Sequence, residues 1–136
     1  MKKVKSLLAV LVMILMLAGC TGKSLPEGMS EEALIDAGRE VMLLAVKGEY
    51  ETVCDMLRDD VQSTVTPDEI RNVVLTNVDG AGVYKQIDSF MTTGQEANGE
   101  RLGVAVLYCD YSDDDVLFRV AFDSEMNLVG LAVEKQ

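Results

Sequence analysis

Tyr84, Asp88 and Tyr108 are the side chains of this sequence best suited to acid–base chemistry. A carboxylate in an apolar pocket can take a proton from carbon, and a phenol beside it can donate to the oxygen that gains charge. That is isomerase or cyclase chemistry. Tyr84 and Asp88 lie on a run of period two and so share a strand face; Tyr108 comes from a second strand, and Phe118 from a third supplies an apolar wall. Gln86 and Phe90 share the face of Tyr84 and Asp88, and an edge strand showing Tyr, Gln and Asp to water accounts for the pattern without catalysis. The chain has no histidine. That removes Ser-His-Asp and Cys-His nucleophiles, imidazole metal ligands and the usual neutral-pH switch. G-x-S-x-G, H-E-x-x-H and P-loop motifs are absent from the sequence.

The cysteines are Cys20, Cys54 and Cys109. Cys54 and Cys109 fall on inward positions of a helix and a strand, where two free buried thiols are the default and a disulfide between them the alternative. A metal site would need further soft ligands that the spacing does not supply. Asp123-x-Glu125-x-Asn127 places oxygen donors at alternate positions, with Glu134 at the twelfth. Leu128, however, stands at the sixth, where the sharp bend of a calcium loop calls for glycine. Asp110-x-Ser112-x-Asp114 fails at Asp115 and Ala121 in the same way. Both segments read as polar turns. The expectation is a chain with no metal, no cofactor and no catalytic residues.

Lys2, Lys3 and Lys5 precede an uninterrupted apolar run, Leu7 to Leu17. Two small residues and Cys20 follow. A basic start, a short apolar stretch and a small-residue cleavage site form a secretory signal, and the apolar stretch is well under the ~20 residues that a spanning helix needs. Leu17-Ala18-Gly19-Cys20 resembles the lipobox of bacterial lipoproteins. The resemblance implies a diacylglycerol on the Cys20 thiol and cleavage between Gly19 and Cys20. The expected organisation is a removable signal over residues 1–19, a lipid-anchored tether over 20–29 and one domain over 30–136, held outside the cytoplasm on the cell membrane. Acyl chains add about 0.8 kcal/mol of anchoring per buried methylene.

The formal charge is −11, and loss of the signal would remove three lysines from it. So acidic a body repels phosphate backbones, so no nucleic-acid partner is expected. Apolar residues make up 49% of the chain and aromatics 5%, enough for a core built mainly from aliphatic side chains.

Ser30 is a suitable N-cap, followed by Glu31 and Glu32 at the positive end of a helix. Leu34, Ala37, Val41, Leu44 and Ala45 recur at helical spacing as far as Gly48. A short second helix carries Tyr50, Val53, Cys54 and Leu57 inward. Thr66-Pro67-Asp68-Glu69 is a capping box with proline at the first helical position, opening a third helix over Ile70, Val73, Val74 and Val78. After Gly82 the period becomes two. Strands are expected at 83–93, 101–111, 116–123 and 128–134, with a turn over 95–99 containing Asn98-Gly99. Three helices on one face of a curved four-stranded antiparallel meander make an α+β domain. The second strand is apolar on both faces, Leu102, Val104, Val106 and Tyr108 on one, Ala105, Leu107 and Cys109 on the other. The far face is therefore expected to be not wholly wet: a partner, a second copy in a homodimer, or lipid covers it, or it is simply a somewhat apolar monomer surface.

Val46-Lys47-Gly48-Glu49-Tyr50-Glu51, Thr66-Pro67, Phe122-Asp123 and Gly130-Leu131 together resemble an uncharacterised bacterial domain family, over about residues 33–133. The resemblance implies a fold similar to cystatin-like and nuclear-transport-factor-2-like α+β cones. Such cones include isomerases, cyclases and many non-catalytic binding domains, so fold does not decide function. The reading is a lipoprotein whose small domain binds an apolar ligand or an envelope protein. An isomerase-like enzyme and a dimerisation module are the alternatives.

Cys20→Ala should abolish metabolic palmitate labelling and free the chain from membranes by way of its lipid. Labelling that persists in the variant would remove the lipobox reading.

Overall fold

The computed structural model describes residues 24–136. Gly19, Cys20 and the lipobox lie outside the described residues. Four helices precede four strands: α1 (Glu31–Val46), α2 (Tyr50–Met56), α3 (Asp59–Gln62), α4 (Pro67–Val78), β1 (Tyr84–Ala97), β2 (Glu100–Tyr111), β3 (Asp115–Phe122) and β4 (Leu128–Lys135). Among the described residues no helix is long and apolar enough to cross a membrane.

The helix signals act where the sequence places them. Ser30 is extended, and its side chain accepts from the Ala33 N–H. At the other end of α1, Gly48 takes φ +80°. Its N–H donates to the Ala45 carbonyl at 3.1 Å, and that of Glu49 to the Leu44 carbonyl at 2.9 Å. These two bonds satisfy carbonyls that the helix end would otherwise orphan, through a left-handed residue that glycine adopts at no steric cost. Thr66 and Glu69 form the reciprocal capping box of α4. The one-turn helix α3 is an addition to the three expected helices; it has no side-chain cap and too few residues to show a period.

The strands form one antiparallel sheet in the order β1-β2-β3-β4. The first hairpin is tighter than expected. Ala97 pairs with Glu100, so the turn is Asn98-Gly99 alone, with φ of 53° and 79°. Two positive φ values match the right-handed twist of the flanking strands. Ser24–Met29, expected as part of a free tether, instead lies on the domain. Pro26 is buried, Leu25 and Met29 pack against the core, and Arg101 Nη2 donates to the Ser24 carbonyl at 2.8 Å. The apolar side chains of Leu25 and Met29 are what bind this stretch down, despite its glycine and proline.

The main core lies between the helices and one face of the sheet. Ala105, Leu107 and Cys109 of β2, Val116, Phe118, Val120 and Phe122 of β3, and Leu128 and Val133 of β4 meet Leu34, Val41, Met42 and Ala45 of α1. The buried face of α1 also includes Ile35 and Gly38, which the expected apolar stripe left out in favour of Ala37 and Leu44. A Cβ on Gly38 would stand 2.5 Å from the Ala105 Cβ, so the helix can sit this low on β2 only without a side chain there.

Gly38→Ala should therefore destabilise the domain. Overpacking a close contact costs about 1–3 kcal/mol, more than the ~1 kcal/mol by which alanine favours a helix. Urea unfolding should show a lower midpoint with an unchanged slope, and a raised midpoint would disprove the close approach.

Candidate functional site

The four side chains expected to line one pocket do not converge. Tyr84 packs edge-on against Tyr111, ring centroids 5.8 Å apart, at the margin of the helix-side core. Phe118 is wholly buried within that core. Tyr108 belongs to the opposite face, and Asp88 is exposed. Tyr108 and Phe118 face opposite ways by ordinary alternation, since Tyr108 pairs with Leu117 and Phe118 with Leu107. In β1, register shifts between Tyr84 and Gln86 and between Ile87 and Ser89 leave Asp88 as an unpaired residue. Asp88 instead borders a shallow crevice of about 170 Å³ with Ser89, Tyr108, Asp110 and Asp115.

Cys54 and Cys109 are both buried and free, without the disulfide that was the alternative. Each thiol finds a backbone acceptor within its own neighbourhood, Val65 O for Cys54 and Leu107 O for Cys109. Burial first, and then the nearby Asp110 carboxylate, push the Cys109 thiol up to about 12. It stays a protonated, inert packing group at neutral pH.

The second face of the sheet is the unusual surface of the molecule. Its register is a set of rows: Ser89–Tyr108–Leu117–Glu134, Met91–Val106–Arg119–Ala132, and Thr93–Val104–Ala121–Gly130. Gln95 opposite Leu102 extends it toward the hairpin end, and Val129 joins at the irregularity between β3 and β4. Val104 and Ala121 are 0% exposed and Val106 2%, yet Val61 and Tyr108 are the partly buried apolar side chains of the described residues that pack on this cluster. The apolar floor holds polar groups as well. Gln95 is 2% exposed, and neither its amide nitrogen nor its amide oxygen has a partner among the described residues. Arg119 Nε is also buried without one, while its Nη1 reaches Glu134 Oε2 at 3.2 Å. Leaving such groups unsatisfied costs about 1–3 kcal/mol each.

Arg58 closes the hairpin end of this face. Its guanidinium donates to both carboxylate oxygens of Asp60 at 2.7 and 3.0 Å, to both of Glu100 at 2.7 and 2.9 Å, and to Asp123 Oδ2 at 3.1 Å. Its backbone N–H donates to the Leu128 carbonyl at 2.8 Å. One side chain thus ties the α2–α3 connection to the β1–β2 hairpin and to the β3–β4 turn. Hydrogen bonding to Glu100 and Asp60 holds the guanidinium charged far above its ordinary range. A groove of about 280 Å³ opens beside it, lined by Val61, Thr64, Ala97, Leu102 and Val129 among others.

Asp123 explains why a segment resembling a calcium loop is a turn. Oδ1 accepts from the N–H groups of Glu125 and Asn127 at 3.0 and 2.8 Å, and Oδ2 accepts from Asn127 Nδ2 and Arg58 Nη1, both at 3.1 Å. The carboxylate is saturated by its own turn and by Arg58. Among the described residues no group of three or more Cys, Asp and Glu side chains is placed to hold a metal.

Burial by itself would raise the Asp123 carboxyl, but the hydrogen bonds from Asn127, Arg58 and Glu125 more than offset it, so it lies below the usual carboxylate range. A depressed native value adds stability above the ordinary value of about 4, and the contribution is lost as pH falls through the native one. Asp123→Asn should therefore lower the melting temperature at pH 7 and flatten its decline below about pH 4. A decline as steep as that of the parent chain would show that Asp123 does not carry the effect.

A family model for proteins of unknown function, DUF3887, matches residues 39–131. The match spans α1 beyond its first two turns through to the middle of β4, and so contains both faces of the sheet and the Arg58 cluster. No curated protein matches the chain. An NMR structure of a protein from Ruminococcus gnavus ATCC 29149 is similar in fold, with a TM-score of 0.68 and 24% identity, over 81% of this chain and 96% of that one. By the extent of the family match and the architecture it encloses, this chain belongs to the DUF3887 family of proteins of unknown function.

Proposed function

We propose that the protein is an extracytoplasmic lipoprotein, anchored through Cys20, whose domain is a non-catalytic binding module using the second face of its sheet. The supporting observation is that face itself: seven buried apolar side chains on the side of the sheet away from α1, touched by Val61 of α3, with the Gln95 amide set among them without a partner among the described residues. The carboxylate-base alternative has no comparable support, since Asp88 stands exposed and away from Tyr84 and Phe118. The favoured ligand is elongated and apolar, with one polar group able to both give and accept hydrogen bonds at Gln95. An acyl chain with an ester or amide head has that chemistry.

The test uses the mature lipoprotein released in detergent and exchanged into buffer. It should bind the neutral apolar dye Nile red and show a retained adduct by native mass spectrometry. Met91→Glu and Tyr108→Glu alter rim positions that are partly exposed in the fold. Each should weaken binding at least about tenfold, because a carboxylate left against apolar ligand costs more than the ~1.4 kcal/mol of one decade. Leu75→Glu, an exposed position on α4, should leave binding unchanged. Absence of dye binding by the parent protein, or equal loss in all three variants, would refute the proposal.

A further inference from the structure

We infer that the outer edge of β1 takes up an extended cationic peptide as a fifth strand, seated against α1. This edge is separate from the second face, and its use does not depend on what that face binds.

The strand order leaves β1 and β4 at the two ends of the sheet. The ends are not alike. Beside β4, Leu57 forms a parallel bridge with Leu128, and the Arg58 N–H donates to the Leu128 carbonyl. Among the described residues β1 has β2 as its one strand partner. Every second residue of such an edge turns its N–H and C=O outward, and natural edges are usually blunted by charges, prolines or bulges. In β1 those devices sit early: Lys85, Asp88 and both register shifts come no later than Ser89. From Ser89 to Ala97 the pairing with β2 is regular, and Ser89–Gln95 holds neither charge nor proline. Within that stretch Phe90 is 52% exposed and Met91 45%.

A groove of about 510 Å³ lies between this stretch and α1. Thr92 Oγ1 donates to Glu31 Oε1 at 3.0 Å and joins its two walls. The Arg39 guanidinium lies over the Phe90 ring, 5.8 Å from its centroid, with Nη1 3.5 Å from Asp36 Oδ1. Glu31, Glu32 and Asp36 leave the helix wall net acidic in spite of Arg39.

These walls set the alternation of the ligand. Phe90 pairs with Leu107 and so faces the α1 side; Met91 pairs with Val106 and faces the other way. A strand added outside β1 lies about 4.8 Å from it, with its side chains alternating between the same two sides. Lys or Arg on the α1 side lay their stems over Phe90 and carry their charges to Glu32 and Asp36. Apolar residues between them pack on Met91. Main-chain hydrogen bonds supply affinity in this mode, and alternate side chains supply selectivity. A second copy is a poorer occupant. Pairing β1 with β1 would bring two sets of Glu31, Glu32 and Asp36 together, on chains that each carry a formal charge of −11.

The test uses the full chain in a non-ionic detergent and a capped, fluorescent heptapeptide of alternating Lys and Val, matched in length to Ser89–Gln95. At low ionic strength its anisotropy should show saturable binding, and hydrogen exchange should slow at alternate amides between Ser89 and Gly94. Glu32→Lys with Asp36→Lys should weaken binding at least about tenfold, since it replaces two attractions by repulsions. Asp114→Lys with Glu125→Lys makes the same change of net charge at exposed positions outside the groove and should leave binding nearly unchanged. Phe90→Ala should weaken it several-fold. Two further peptides carry N-methyl groups on all the Lys or on all the Val residues. One set of amides faces β1 and the other faces away, so one peptide should lose binding and the other keep it. Absence of binding, equal loss in the two charge-reversed chains, or equal effects of the two methylation patterns would overturn the inference. Protection of the same amides that rises with protein concentration in the absence of peptide would assign the edge to a second copy, and would overturn it as well.

Discussion

At Gly38 the helix layer comes down on β2 with no side chain between helix backbone and sheet, and Ala105 fills the space a Cβ would need. The contact sets the height of α1 above the sheet, which decides how large the side chains between them can be. Leu34, Val41 and Met42 reach Leu107, Phe118 and Val120 from that height, giving the close packing on which core stability depends. It also selects which face of the sheet the helices cover. Once α1 is seated on the Ala105–Leu107–Cys109 side, the Leu102–Val104–Val106 side must face the other way, because adjacent strand residues point to opposite faces.

β2 is apolar on both of those sides, and that property gives the domain its two characters. The helix-side face is a finished core. The second face is an apolar surface with a buried amide at Gln95 and a buried Arg119 Nε that the described residues leave without partners. Arg58 holds the frame of this surface by fastening the hairpin and the β3–β4 turn to the α2–α3 connection. Most of its charge partners are well exposed, so its value lies in linking three segments rather than in the strength of any one pair.

Much of the architecture was legible in the chain because it rests on local chemistry. Ser30, Gly48 and the Thr66–Glu69 box mark helix ends by satisfying backbone groups within a few residues of themselves, so neighbouring letters suffice to find them. Asn98-Gly99 announces its hairpin for the same reason. The two-sided apolar character of β2 was legible too, and with it the existence of a second apolar face. The pocket of Tyr84, Asp88, Tyr108 and Phe118 was not, because two slips of register in β1 displace Asp88 and the pairing of β2 with β3 sets Tyr108 and Phe118 on opposite faces. Nothing in the run of side chains shows where a strand drops a residue from its pairing. Gly38 was likewise read past, since a glycine inside a helical pattern carries no sign of what stands opposite it.

What the sequence determined alone was therefore everything decided within about one turn of helix or one hairpin: caps, stops, strand alternation, the acidic balance and the signal-like start. Tertiary structure decided which distant residues meet. It brought Arg58 to Glu100 and Asp123 and left Cys54 and Cys109 as separate thiols. It also moved the candidate site from a pocket of titratable groups to an apolar face around Gln95. Contacts of that range depend on the register of strands and the height of a helix above them. Those quantities follow from packing the whole domain, and no short stretch of residues encodes them.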